Sequence, residues 1–218
     1  MKVLLVAKAP VPGAVKTRLG ADIGLELAAE AAAAALLDTI AACNATGAPG
    51  HLALAGDLDD GIRADDIRDL LTGWTLTPQR GDGFAERLVN AHLDAGPGVV
   101  VQIGMDTPHV TPALLLAAAD ALDAHDAVLG PADDGGWWVL GRRDPEVTRP
   151  LTGVRMSTST TYADTRAALE GAGHAVAVTD PLRDVDTLAD AEAVAALIPD
   201  SRFARVWAAP ATAPQASR

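Results

Sequence analysis

VVVQIGMDTP, residues 99–108, is the stretch that decides the fold. Val99, Val100, Val101 and Ile103 make a short, nearly continuous apolar run closed by Gly104, the composition of a strand buried on both faces of a parallel sheet. Asp106 follows within three residues, at the carboxyl end of that strand. Ligands of open α/β sheets bind outside this edge.

The same rhythm extends in both directions. Apolar runs at 2–7 (KVLLVA), 51–55 (HLALA), 74–78 (WTLTP) and 126–132 (DAVLGPA) flank the first run. Helical patterns at 24–43, 60–71, 83–95 and 112–123 separate them. Strands alternating with helices of about ten residues or more predict right-handed βαβ units and a mostly parallel sheet. The rhythm changes after residue 135, where Trp137-Trp138-Val139-Leu140 follows the preceding strand by only an Asp-Asp-Gly-Gly turn. A turn that short cannot make a parallel crossover, so an antiparallel element, or a strand that leaves the sheet, is expected there. A helix at 157–170, a strand at 174–178 and a helix at 187–197 are expected to finish the domain. Residues 1–200 read as one domain and 201–218 as a C-terminal tail, partly disordered, with AAPATAPQASR at 208–218 the least structured part.

The chain carries 29 acidic and 17 basic residues among 218, a net charge of -12, which repels nucleic acid and anionic membranes. A single cysteine, Cys43, excludes an internal disulfide and points to the cytoplasm. The apolar N-terminal run is too short for a signal peptide or a span of about 20 residues, so no membrane insertion is expected.

In this acidic protein, the loop after the first strand, KAPVPGAVKTRLG at 8–20, places Lys8, Lys16 and Arg18 on a segment shaped by Pro12 and Gly13. Cations on such a loop just before a helix suit diphosphate oxygens, and Arg18 can bind two oxygens at once. Neither P-loop nor dinucleotide-binding glycine spacing is present. Asp106 fits a hard cation, Mg2+ or Mn2+, which prefers carboxylate and phosphate oxygens. The same aspartate also fits a cap for the helix near Thr111. In Asp133-Asp134-Gly135-Gly136-Trp137-Trp138, an acid can serve as a base, the glycines allow close backbone approach, and an indole can stack on a sugar. An Asp-Gly hairpin turn with one tryptophan in the core explains the same residues. Asp186 or Thr187 is a good N-cap, with Asp190 completing a capping-box-like start. The scattered histidines and the absence of Cys/His grouping argue against zinc.

Five ordered blocks carry a family resemblance: KAPVPGAVKTRL at 8–19, QRGDGFAER at 79–87, GMDTP at 104–108, GPADDGGWWVLG at 130–141 and DVDTLAD at 184–190. Together they resemble the DUF2064 family of candidate bacterial glycosyltransferases, across roughly residues 2–197. The family is similar in fold to molybdenum-cofactor and 2-phospho-lactate guanylyltransferases. The resemblance implies a GT-A-like (Rossmann-like) three-layer α/β/α sandwich with Asp106 as metal-binding acid and Asp186 as second metal ligand. It also implies that Lys16 and Arg18 face the donor phosphates, with Gln79, Asp82 and Arg87 beside the nucleotide. The chain departs from the pattern at Met156-Ser157-Thr158, where relatives are expected to carry a tryptophan.

The reading that follows is sugar transfer from a nucleoside-diphosphate sugar to a small-molecule acceptor hydroxyl, with inversion. Asp134 or Asp133 is the base, and Gly135, Gly136, Trp137 and Trp138 form the acceptor side. The alternatives are nucleotidyl transfer from an NTP to a phosphorylated small molecule, and nucleotide binding without turnover.

Overall fold

The computed structural model describes residues 1–208. Strand β1 (Lys2–Lys8) leads into helices α1 (Thr17–Ile23) and α2 (Leu25–Ala45). Next come β2 (Gly50–Ala55), α3 (Ala64–Leu70), β3 (Thr75–Pro78) and α4 (Phe84–Asp94). The middle of the chain forms β4 (Val100–Ile103), α5 (Pro112–Ala121), β5 (Ala127–Pro131) and β6 (Trp137–Arg142). A 3-10 segment at Pro145–Gly153 precedes α6 (Thr161–Gly171), β7 (Val176–Val178), α7 (Leu188–Leu197) and α8 (Arg202–Ala208).

Seven strands form one sheet in the order β3-β2-β1-β4-β6-β5-β7. Only β6 runs against its neighbours, pairing antiparallel with β4 and β5, as its short connection to β5 requires. β1 pairs with β2 up to Lys8↔Ala55 and with β4 up to Leu5↔Ile103, so these strands bring their carboxyl ends to one edge. The chain progresses from β1 through β2 to β3 on one side, and β4 begins the other side. The loops after β1 and β4 therefore part, opening a crevice at the reversal point.

Strand alternation sends successive side chains to opposite faces of the sheet. On one face Leu5, Val101 and Val139 meet Leu36, Ile40 and Leu115 from α2 and α5. On the other, Leu4, Leu129 and Leu140 meet Leu88, Val147 and Leu169 from α4, the 3-10 segment and α6. This is the expected three-layer arrangement. The alanines of α2 let other helices approach closely: Ala31, Ala34 and Ala35 pack against Val194 of α7 and Phe203 of α8. No helix among the described residues is long and apolar enough to cross a membrane.

Three expectations need correction. The loop after β1 is shorter than residues 8–20, because α1 starts at Thr17. Residues 157–160 are not helical, and α6 begins only at Thr161. The packed structure also continues past residue 200. Asp38 accepts hydrogen bonds from the backbone N–H groups of Arg202 (3.2 Å) and Phe203 (2.9 Å), fixing α8 with Phe203 only 1% exposed. Phe203, Val206 and Trp207 have helical spacing, but the Ala/Pro/Ser-rich residues behind them concealed it. The expected disorder from residue 209 onward lies outside the described residues.

Candidate active site

At the crevice Lys16 stands in the left-handed region (φ 45°) immediately before α1. This backbone kink directs its side chain inward. The ammonium donates to Asp106 Oδ2 at 3.0 Å and to Asp186 Oδ1 at 2.7 Å. Arg18 Nη1 lies 3.8 Å from Asp186 Oδ2, on a largely exposed side chain. Burial alone would lower the Lys16 ammonium, but the charges of Asp106 and Asp186 override it and hold the group above its ordinary range.

The competing readings of these two aspartates resolve locally. Thr111 caps α5 through its own hydroxyl, which accepts from Leu114 N at 3.3 Å, so Asp106 is not the cap. Thr187 and Asp190 form the capping box of α7, so Asp186 is not that cap either. Both carboxylates are left to face the crevice.

A third carboxylate joins them. Asp106, Asp184 and Asp186 each offer an oxygen within 4.8 Å of the others. Sequence reading passed over Asp184 as part of a capping segment. Val185 carried the missing signal: it is buried at 2% exposure and its N–H donates to Asp106 O at 3.0 Å, so in an extended segment both flanking residues point the other way. Burial, followed by the charges of Asp134, Asp106 and Asp186, pushes the Asp184 carboxyl up to about 6. Three hard oxygen donors against Lys16 and Arg18 leave net negative charge, a donor set suited to Mg2+ or Mn2+.

The crevice has a volume of about 560 Å3. Lys8, Lys16, Arg18 and Gln79 line it, and so do Asp106, Asp134 and Asp186. Gly136, Trp137 and Trp138 complete the predicted residues on its wall. Pro12, Gly13, Asp82, Arg87, Asp133 and Gly135 are not on that wall. Gly13 (φ 79°) shapes the loop behind it. Asp82 is exposed, while Arg87 Nε donates to Gly81 O at 3.1 Å and braces the β3–α4 loop. Gln79 Nε2 donates to Ala7 O (2.8 Å) and Ala53 O (3.1 Å), tying the ends of β1 and β2 together. Asp133 pairs with Arg183 at 3.0 Å, which leaves Asp134 as the acid of that pair on the cavity wall. Asp134 Oδ1 accepts from Gly136 N at 2.7 Å.

The two tryptophans divide as strand neighbours must. Trp138 is 3% exposed, packs with the α2 and α5 side of the core and donates from Nε1 to Asp180 O at 3.0 Å. Trp137 packs on the opposite face, against the cluster that Met156 also borders, and its buried Nε1 has no hydrogen-bond partner among the described residues. Gly135 (φ 90°) lies so close to the Ser159 backbone that a side chain there would collide, and its carbonyl accepts from Tyr162 N at 2.8 Å.

Among solved structures, a candidate nucleotide-diphospho-sugar transferase from Desulfovibrio desulfuricans matches at TM-score 0.81 and 27% identity, over 94% of this chain and 93% of that one. 4-Diphosphocytidyl-2C-methyl-D-erythritol synthase from Anaerococcus prevotii matches at TM-score 0.58 and 13% identity, over 91% and 99% of the two chains. A nucleotidyl transferase from Methanothermobacter matches at TM-score 0.58 and 16% identity, over 94% and 98%. The last two likenesses establish the fold. No curated protein matches the chain. The family model for uncharacterized proteins conserved in bacteria, DUF2064, matches residues 36–158, and the chain belongs to that family.

Proposed function

We propose that the protein is a metal-dependent glycosyltransferase that moves a sugar from a nucleoside-diphosphate sugar to the hydroxyl of a small-molecule acceptor, with inversion. The observation that carries this reading is the Lys16 ammonium held between Asp106 and Asp186 at the reversal point of the sheet. A cation and a carboxylate set that meet at the mouth of a crevice fit a metal-chelated diphosphate. The Desulfovibrio desulfuricans structure, itself a candidate nucleotide-diphospho-sugar transferase, supports the donor class.

Asp106, Asp184 and Asp186 would hold Mg2+ or Mn2+, which when bound supplies positive charge against the diphosphate. Lys16 and Arg18 add charge to the same leaving group, stabilising it as the sugar–oxygen bond breaks. The acceptor oxygen forms the new bond to the anomeric carbon, and Asp134 takes its proton. Trp137 supplies an apolar wall for a sugar or acceptor face.

One observation favours nucleotidyl transfer instead. Asp134 already accepts from its own turn at Gly136 N, whereas an ionised phosphate nucleophile needs no base. Calorimetry with UDP-glucose, GDP-mannose, CTP and GTP in Mn2+ tests the donor class. Micromolar binding confined to sugar nucleotides, with transfer lost in Asp134→Asn, is the expected result. Binding confined to NTPs, with pyrophosphate release unchanged in that variant, would reject sugar transfer.

A further inference from the structure

β4 carries a polar side chain besides the acid that follows it. Gln102 is 2% exposed, lines the crevice and faces α4. Its orientation is dictated from behind. Arg142, fully buried on β6, has only donors. Its Nη2 donates to His92 O and Gly96 O, each at 2.7 Å, and its Nε lies 3.3 Å from His92 Nδ1. Nδ1 must therefore be the acceptor. Burial, reinforced by the Arg142 charge, pushes the His92 imidazole down to about 3, so the ring is neutral and its one proton sits on Nε2. Nε2 lies 3.2 Å from the Gln102 amide oxygen and donates to it. The relay consumes the oxygen end of the amide. Gln102 Nε2, with two N–H groups, makes no hydrogen bond to the described residues, the bond of this side chain being the one at its oxygen.

The Trp137 ring, on the same face of the sheet, lines the same cavity. An unpartnered amide donor beside an aromatic wall in one cavity matches a ligand that has both oxygen acceptors and an apolar face. A sugar ring has both. We infer that Gln102 is a specificity-determining residue whose amide N–H donates to a sugar oxygen, with His92 and Arg142 as positioning residues that fix which end of the amide faces the cavity. The inference rests on the transferase reading only for a sugar as the ligand.

Nuclear magnetic resonance of the full chain titrated with D-glucose tests it. The Gln102 NH2 pair is identified by triple-resonance assignment of the wild-type protein. In the wild-type protein that pair should move saturably with glucose, the His92 ring should show the Nε2–H tautomer, and Gln102→Met should bind glucose about tenfold more weakly. A Gln102 pair that stays fixed, an Nδ1–H tautomer at His92, or unchanged glucose affinity in Gln102→Met would each overturn the inference. The wild-type titration decides even if the variant fails to fold. Movement of the pair by glucose in a protein that transfers no sugar would support the sugar contact and reject the transferase reading.

Discussion

Lys16 Nζ donates to Asp186 Oδ1 at 2.7 Å, joining residues 170 positions apart in sequence. The same ammonium reaches Asp106, so it occupies the space between two of the three carboxylates offered to a divalent ion. On the proposed function, ammonium and metal would compete for these carboxylates, and a diphosphate would draw the lysine outward. Lys16→Met should bind Mn2+ about tenfold more tightly without nucleotide, and nucleotides about tenfold more weakly. Paramagnetic resonance of free Mn2+ reads the first effect and calorimetry the second. Equal Mn2+ affinity in both proteins would show that the lysine does not guard the carboxylates.

Acid stability should depend on a cancellation. His92 is held neutral down to about 3, so unfolding takes up a proton and stability falls as pH drops below about 6.5. Asp184, pushed up to about 6, works the opposite way. Its folded state binds the proton more tightly, so stability rises as pH drops from about 6 to about 4. Asp184→Asn removes the second effect. In chelator, the variant should be more stable at pH 7, by about 1 kcal/mol after solvent screening is allowed for. It should lose stability in acid more steeply than wild type, by up to about 1.4 kcal/mol per pH unit. Urea midpoints at several pH values measure both, and parallel curves for the two proteins would contradict the assignment.

Adjacent tryptophans should respond differently. Trp138→Ala should cost about 3–5 kcal/mol because it empties the core and strands the Asp180 carbonyl. Trp137→Ala should leave the melting temperature within a few degrees of wild type while lowering kcat/KM for transfer about tenfold or more. Similar melting losses in both variants would place Trp137 in the scaffold.

Asp38 anchors α8 through two backbone N–H groups and Arg202 Nη1. Asp38→Ala should therefore destabilise the protein by about 2 kcal/mol and expose residues 202–208 to hydrogen exchange. Exchange that stays slow there would mean that Phe203 packing alone holds the helix.

Strand positions and sheet direction were legible in the sequence because apolar runs and turn lengths are local properties. VVVQI predicted β4, and the four-residue Asp133–Gly136 turn predicted the reversal at β6. Crevice-lining residues were legible where a charged residue stands in the loop after a strand, as at Lys16 and Asp106. Asp184 and Gln102 escaped because their roles arise from distant partners: Val185 bound to the β4 loop, and Arg142 reaching His92 from another strand. Asp82, Arg87 and Asp133 were chosen by motif, but the cavity wall is set by side-chain direction, which a motif does not encode. The α8 helix was missed because its apolar residues gain meaning only against the alanine face of α2.

Gly135 lies against the Ser159 backbone and binds Tyr162 N, which locks the turn before β6 to the segment before α6. The first leads into Trp137 and the second carries Met156, both on the cavity wall. Neither can drift in shape alone. On the proposed function, a change of acceptor in this lineage should appear as paired substitutions in 133–137 and 156–162, while the lysine and aspartates that would hold the phosphate end stay fixed.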